Sequence, residues 1–256
     1  MYMIFDTHAH YDDEAFDEDR DELLKSMREN EIEYIVNVGS SLKTSRQTIE
    51  LIDKYDFMYG AVGVHPSDTA ELNEENIEIL REMLRNDRVV ALGEIGLDYY
   101  WDEPERDIQK KWFERQIYIA KEEKMPIIYH SREAAKDTLD IIKYTNAQEV
   151  GGVIHCFSYG VEMAREYLNR GYYIGVGGVV TFKNAKKLKE VVEFTPLDNI
   201  LLETDCPYLS PEPYRGKRND STRLKYVVDE IARIKGVERE KVIAITNENA
   251  KKMYKI

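Results

Sequence analysis

The sequence predicts an α/β protein built as a single (β/α)8 barrel, and two observations predict this fold class. Eight short runs rich in β-branched and aromatic residues alternate with amphipathic stretches in which apolar residues lie three and four positions apart. No Pro-rich or Ser-rich linker interrupts the series, so residues 1–256 are expected to form one domain. An open doubly wound sheet is the competing architecture, but no glycine-rich phosphate motif follows the first run.

The eight runs have the length of strands in a parallel barrel. In chain order they cover residues 3–8, 33–39, 57–65, 89–96, 125–130, 151–157, 172–178 and 199–204. The clearest helical patterns cover residues 17–30, 43–55, 73–88, 109–124 and 161–172. This repeated order of strand and helix fits one closed barrel better than two separate domains.

Composition limits the partners and the compartment of the protein. A formal net charge of -13 disfavours long-range attraction to nucleic acid or to an acidic membrane, so a polyanion would need a local basic or metal-bearing site. No apolar stretch approaches the ~20 residues of a membrane helix, and the first residues lack the pattern of a signal peptide. Cys156 and Cys206 lie far apart in the sequence, as expected in a reducing compartment. We therefore expect a cytoplasmic protein.

The histidines lie where the predicted strands end. His8 and His10 close the first strand, and the others close the third, fifth and sixth strands, at His65, His130 and His155. Two acids occupy matching places on the fourth and eighth strands, at Glu94 and Asp205. The carboxyl ends of parallel barrel strands meet on one face, so these side chains are expected to be neighbours. The pattern favours a metal site over histidines that merely make hydrogen bonds.

The type and number of these side chains indicate the metal chemistry. Imidazole and carboxylate ligands without cysteine suit zinc, manganese, iron or magnesium. Four histidines and two acids exceed what one tetrahedral ion takes while leaving a position open for water, so the count predicts two divalent ions. Glu94 is the expected bridge, because the fourth strand lies between the two clusters. Asp6 is expected to accept the ring N–H of His8 or His10 and so to orient that imidazole, rather than to bind metal itself.

A series of motifs identifies a family resemblance. In order they are "FDTHAH", "VGVHP", "LGEIGLDYY", "IIYHSREA", "VIHCFS", "GGVVTFKNAKKL", "LLETDCPYLSP" and "RGKRN". With them the chain resembles the TatD family of metal-dependent deoxyribonucleases, from near residue 4 to the C-terminal "TNENAKKMY". The resemblance implies a TIM barrel that binds two divalent cations, magnesium, manganese or zinc, at the carboxyl ends of the strands.

The resemblance also implies roles for individual residues. His8, His10 and Glu94 match the ligands of one metal, and His130 and His155 match those of a second metal that shares Glu94. Asp205 matches an acid that binds metal and takes a proton from the attacking water, which makes Asp205 and Glu94 the expected catalytic residues. Independently of the resemblance, their places at or after the ends of the third, fifth, seventh and eighth strands make His65, Arg132, Lys183 and Arg215 the expected substrate-binding residues. For Arg132 and Lys183, a structural salt bridge is the alternative to phosphate contact.

The chain departs from the family pattern at three positions. Many relatives carry histidine where this chain has Ser67, glycine where it has Tyr159 and proline where it has Ser221. None of the three is an expected ligand. All three are predicted to lie in loops over the site, so they bear on substrate preference.

The expected reaction is hydrolysis of DNA phosphodiester bonds from single-stranded ends, by a monomer with no membrane and no obligate protein partner. One alternative is a barrel hydrolase of the same kind acting on an ester or amide bond, such as that of an aminoacyl nucleic acid. Another is a metal-binding scaffold without chemistry. Tyr99, Tyr100 and Trp101 follow the fourth strand, and they either stack on nucleobases or pack on the barrel rim.

Overall fold

The computed structural model describes residues 2–256 and contains an eight-stranded parallel sheet in chain order. Each strand pairs with the next one along the chain. The strands are β1 (Ile4–Ala9), β2 (Ile32–Val38), β3 (Met58–Val62), β4 (Val89–Asp98), β5 (Ile127–Arg132), β6 (Gly152–Ile154), β7 (Tyr173–Val176) and β8 (Ile200–Leu202). The predicted (β/α)8 barrel is confirmed.

Helices alternate with the strands. They are α1 (Arg20–Lys25), α2 (Leu42–Lys54), α3 (Glu74–Met83), α4 (Arg106–Glu122), α5 (Ala135–Tyr144), α6 (Val161–Leu168), α7 (Lys186–Phe194), α8 (Leu224–Lys235) and α9 (Arg239–Tyr254). Local sequence sets where they begin. At α2, for example, the Ser41 hydroxyl accepts the Thr44 N–H at 3.2 Å while the Thr44 hydroxyl accepts the Ser41 N–H at 2.8 Å, a capping box.

The barrel closes between β1 and the segment that follows β8. Ala9 and Cys206 form an isolated parallel bridge there. The His10 N–H donates to the Cys206 carbonyl, and the Asp205 N–H donates to the His8 carbonyl, both at 2.9 Å. These contacts bring the end of the first strand beside the residues that follow the last one.

The apolar core has two parts. The larger part fills the layer between strands and helices. The smaller part takes side chains from all eight strands and from the end of α9, and comprises Phe5, Val36, Val38, Ala61, Val90, Ala91, Ile128, Val153, Tyr173, Leu201, Ala250, Met253 and Tyr254. Because every strand contributes, this second cluster is the inside of the barrel. The end of α9 covers the amino-terminal ends of the strands and leaves the carboxyl ends open.

Five strands end earlier than the sequence predicted, and three of them, β3, β6 and β8, precede candidate site residues. β3 ends at Val62, so His65 follows the strand and precedes a 3-10 turn at Pro66–Glu71. β6 ends one residue before His155, and β8 ends three residues before Asp205. The predicted runs overshoot because buried residues continue beyond the strand ends into the loops, as Val64, Phe157 and Thr204 do.

None of the helices within residues 2–256 combines the length and the apolar character that crossing a membrane requires.

Candidate metal centre

A cavity of about 1020 Å³ opens at the carboxyl ends of the strands. Its lining includes six of the residues singled out from the sequence, namely His10, His65, Glu94, His130, His155 and Asp205. His8 is buried directly beside them, at 1% exposure. The barrel thus gathers side chains from six strand ends around one point.

His8 and His10 converge at the end of β1. Their Nε2 atoms are 3.1 Å apart. The Nδ1 of His10 lies 2.8 Å from the Val38 carbonyl oxygen, and a carbonyl only accepts, so Nδ1 donates and Nε2 is the ring nitrogen that faces the cavity. Two nitrogens directed at one point are the arrangement of a pair of metal ligands.

Glu94 lies between the two groups of histidines and offers one oxygen to each. Its Oε1 is 2.6 Å from His130 Nδ1 and 2.7 Å from His155 Nε2. Its Oε2 is 3.4 Å from His8 Nε2. A carboxylate divided in this way can bridge two cations.

Asp205 lies next to His8 and His10. It comes from the segment after β8, which meets β1 where the barrel closes. Its Oδ1 is 3.3 Å from His10 Nε2 and 3.7 Å from His8 Nε2. The carboxylate is 18% exposed and faces the cavity, so a ligand in the cavity can contact it.

The donor set fits divalent cations. Four groups of three side chains each bring their ligand atoms within 4.8 Å of one another: His8, His10 and Glu94; Glu94, His130 and His155; His8, His155 and Asp205; and His65, Asp98 and His130. The first two groups share Glu94. They contain the same residues as the two ligand sets that the family resemblance implied.

Electrostatics favour a positive charge at this centre. Burial alone would raise the pKa of Glu94, but the charge of His155 and the hydrogen bonds of His130 and His155 hold that pKa well below its usual range. Burial would likewise lower the pKa of His155, yet the charge of Glu94 raises it to about 10. Without a metal, protons therefore supply the positive charge. Divalent cations would replace them.

His8 contrasts with its neighbours. Burial and the nearby charge of His155 lower the pKa of His8 to about 4. The imidazole is therefore neutral at pH 7, which is the form that ligates a metal.

Asp98 belongs to the site although the sequence analysis did not single it out. Its Oδ2 is 3.0 Å from His130 Nε2, on the side of the ring opposite Glu94. The signal was present, because residues two apart on a strand share a face and Asp98 stands four residues after Glu94 on β4. It was missed because β4 was predicted to end before it.

Asp6 acts differently from the expectation. Its carboxylate accepts the backbone N–H groups of His8, at 3.3 Å, and of Thr204, at 3.0 Å, and no imidazole N–H within residues 2–256 donates to it. The register of β1 against β2 shifts between Asp6 and Ala9, so the regular alternation of sides fails there. Asp6 therefore supports the backbone of the site and not a histidine ring.

The four expected substrate-binding residues separate into two pairs. His65 and Arg132 line the cavity, and the Arg132 side chain makes no salt bridge within residues 2–256, which removes the structural alternative for it. Lys183 and Arg215 lie in the loops after β7 and β8 but outside the cavity lining, and Arg215 packs over the Phe182 ring at 4.3 Å.

The three departures from the family pattern have different surroundings. Ser67 is exposed, and its N–H donates to His65 Nδ1 at 3.2 Å. The Tyr159 hydroxyl lies 2.9 Å from the Ser131 hydroxyl, beside His130. Ser221 was predicted over the site, but it is fully buried beneath it, against Asp6. The loop after β8 folds back under the barrel rim, which a local pattern does not reveal.

Comparison with known proteins agrees with this geometry. A family model described as "TatD related DNase" matches residues 5–255. The "uncharacterized metal-dependent hydrolase YabD" of Bacillus subtilis is 46% identical over 254 residues, covering 99% of this chain and 100% of the relative. The "uncharacterized metal-dependent hydrolase YcfH" of Escherichia coli K12 is 34% identical, covering 100% of this chain and 97% of the relative.

Solved structures share the fold. The crystal structure of YjjV, a TatD homolog from Escherichia coli, superposes with a TM-score of 0.93 at 27% identity, over 99% of this chain and 98% of that one. An organophosphorus hydrolase variant from Deinococcus radiodurans superposes with a TM-score of 0.69 at 15% identity, over 98% of this chain and 92% of that one, which shows the fold alone.

Proposed function

This chain belongs to the TatD family of metal-dependent hydrolases, and on that premise we propose that it is a deoxyribonuclease that shortens single-stranded DNA from an end. The observation that carries the proposal is the division of Glu94, with one oxygen 2.7 Å from His155 and the other 3.4 Å from His8. A bridged pair of cation sites suits phosphodiester hydrolysis, which needs both the attacking and the leaving oxygen to be stabilised.

The chain's own residues have defined parts in this reaction. His8, His10 and Glu94 would hold one cation, and Glu94, His130 and His155 the other. Divalent cations supply Lewis acidity, which makes a water more acidic and offsets the charge of the phosphate. No cysteine joins this donor set, so magnesium, manganese and zinc are all candidates.

We assign the proton transfer to Asp205. Burial would raise its pKa, but the hydrogen bond from His10 and the neighbouring histidine charges lower it, so the carboxylate is ionised at pH 7. An ionised carboxylate that faces the cavity can accept the proton that water loses as its oxygen bonds to phosphorus. The phosphorus–oxygen ester bond then breaks, and the departing oxygen takes up the proton that the Asp205 carboxylate accepted.

We assign Arg132 and His65 to the binding of the phosphate. Both line the cavity beside His130, and the rings of His65 and His130 are 4.3 Å apart. A guanidinium with no carboxylate partner can donate two parallel N–H groups to phosphate oxygens. Arg132 would therefore fix the position of the scissile group, and His65 would donate or accept a single hydrogen bond.

The proposal is tested by hydrolysis of end-labelled single-stranded DNA. Metal-stripped protein is assayed before and after addition of magnesium, manganese or zinc, with Asp205→Asn alongside as a variant of the same size. Stepwise shortening that metal restores and the variant lacks supports the proposal. Stoichiometric metal binding without cleavage under any metal contradicts it.

A second candidate is hydrolysis of an ester or amide, such as an aminoacyl nucleic acid. One observation favours it, because four acids from the loop after β1 line the cavity and would attract a cationic group such as an amino acid ammonium: Asp12, Asp13, Glu14 and Asp17. A panel of amide, ester and phosphodiester substrates separates the two candidates by which bond is cleaved fastest.

We also propose that the enzyme acts as a monomer in the cytoplasm. All of the candidate ligands come from one chain, so no second subunit is needed to complete the site. Cys156 and Cys206 are both free thiols, as a reducing compartment favours.

A further inference from the structure

Trp101 is an exposed aromatic residue at the edge of the cavity. Its side chain is 64% exposed and lines the cavity in the loop between β4 and α4, whereas the other tryptophan, Trp112, is only 6% exposed in the core. Tyr100 beside it is 52% exposed. Large exposed aromatic side chains next to a binding cavity indicate a contact surface for a ligand.

Arg132 extends this surface. Its guanidinium lies 3.9 Å from the centre of the Tyr100 ring, and the Tyr100 and Trp101 rings meet edge to face at 5.1 Å. The planar cation is stacked and has no carboxylate partner within residues 2–256, so its charge remains available to a ligand. Arg132, Tyr100 and Trp101 together are called the aromatic wall below.

The aromatic wall is attached to the metal centre by Asp98. One Asp98 oxygen accepts the N–H groups of Tyr100, at 2.9 Å, and Trp101, at 3.2 Å, while its other oxygen lies 3.0 Å from His130. The Tyr99 hydroxyl donates to Asp137 at 2.7 Å and anchors the loop at its start. The backbone below the aromatic wall is therefore held in place before any ligand arrives, which reduces the entropy lost on binding.

Charge divides the rim of the cavity. Four acids from the loop after β1 and one base, Lys43 at the start of α2, line it on one side, so acids outnumber bases there. The strand diametrically opposite β1 in an eight-stranded barrel is β5, which ends at Arg132. A phosphate backbone is repelled on the first side and attracted on the second. A polynucleotide that reaches the metal centre would therefore cross the rim over the aromatic wall.

We propose that the aromatic wall is a nucleobase-stacking subsite, in which Trp101 stacks on an unpaired base next to the scissile phosphate while Arg132 holds that phosphate. This inference rests on the proposed function and gives its preference for single strands a structural basis, because a paired base does not offer its face. With a net charge of -13 the protein gains little from general electrostatic attraction, so stacking would supply much of the affinity for DNA.

Binding to metal-loaded protein carrying Asp205→Asn, which prevents consumption of the strand, tests the subsite. The probes are short oligothymidine and the same strand with abasic sites in place of bases. Trp101→Ala should weaken binding of oligothymidine by roughly five- to a hundredfold relative to the protein that keeps Trp101. On the abasic strand the two proteins should have similar affinities. Trp101→Phe, which keeps a ring, should fall between them. Tyr144→Ala is the control, because Tyr144 is 74% exposed at the far end of α5.

Tryptophan fluorescence gives a readout that does not depend on catalysis. Oligothymidine should quench the emission of Trp101, and Trp101→Phe should abolish the quenching because Trp112 is buried. If the enzyme cleaves DNA but Trp101→Ala binds oligothymidine and the abasic strand with the same affinities as the protein that keeps Trp101, the subsite is overturned and the nuclease proposal stands. Binding and quenching without cleavage would sustain the subsite and overturn the nuclease. Absence of any binding to oligothymidine overturns the subsite.

Discussion

The carboxylate of Asp6 in β1 accepts a 2.6 Å hydrogen bond from the hydroxyl of Ser221, which lies 215 residues further along the chain. The same Asp6 oxygen accepts the Thr204 hydroxyl at 2.7 Å, and the Tyr11 hydroxyl lies 2.8 Å from Ser221. All of these groups are buried. Asp6 thus joins the first and last strands at the point where the barrel closes, between the strand that carries His8 and the segment that carries Asp205.

Ser221→Ala should therefore destabilise the fold. The substitution removes a donor from a buried carboxylate and leaves the Tyr11 hydroxyl with one partner fewer, so we expect the free energy of unfolding to fall by about 1 to 3 kcal/mol. Urea denaturation measures the change. Ser67→Ala is the control, because that side chain is exposed and should change stability by less than about 0.5 kcal/mol. Equal stability of the two variants would contradict the account.

Asp98→Asn should weaken metal binding without unfolding the protein. Asp98 holds His130 from the side opposite Glu94, and removal of such a partner typically lowers metal affinity by about 10- to 100-fold. Calorimetric titration of metal-stripped protein with zinc or manganese measures the change. Asp140→Asn removes a charge of the same kind from the solvent-exposed side of α5 and should bind metal like the original chain. If both variants bind alike, Asp98 does not position His130.

Removal of metal should lower the melting temperature. An ion that binds only the folded chain stabilises it by about 2.7 kcal/mol when the free ion concentration is a hundred times the dissociation constant. For a chain of this size, that corresponds to a rise in melting temperature of roughly 5 to 10 °C. Differential scanning fluorimetry with and without EDTA measures the shift. Glu94→Ala should respond less to EDTA than the original chain, because it should bind fewer ions. An original chain that melts at the same temperature in both buffers would argue against a metal centre in the folded protein.

Glu230 should contribute to acid stability through its contacts between α7 and α8. The hydrogen bond from Arg233 and the ion pair with Lys189 lower the pKa of Glu230 to about 2. A carboxyl group with a lower pKa in the folded state stabilises the fold above its ordinary value of 4.5 and loses that effect as pH falls towards about 2. The melting temperature of Glu230→Gln should accordingly vary less with pH across this window. Glu18→Gln, at an exposed position, is the control. If the melting temperatures of Glu230→Gln and Glu18→Gln change equally with pH, Glu230 does not contribute to acid stability.

The sequence was sufficient to predict the barrel and the residues that gather at its centre, for a physical reason. Parallel strands in a barrel end on one face, so histidines and acids placed after consecutive apolar runs must meet there. Glu94 could be identified as the side chain between two groups because β4 lies between β1 and β6 in the strand order.

Other features depend on geometry that no local pattern encodes. The register shift in β1 changes which groups Asp6 contacts, and it arises from pairing with β2 and not from the residues of β1 alone. Ser221 reaches Asp6 because a long loop returns under the rim. Arg132 could be assigned to neither phosphate contact nor a salt bridge until its neighbours were known.

Counting the divalent ions bound per chain shows whether one carboxylate, Glu94, joins two cation sites. Metal-stripped protein is reloaded with manganese or zinc, freed of unbound ions and analysed by mass spectrometry for metal content, with Glu94→Ala treated in parallel. We expect two ions per chain in the original protein and the loss of at least one in Glu94→Ala. A single ion in the original chain, or two retained in the variant, would mean that Glu94 does not join two sites.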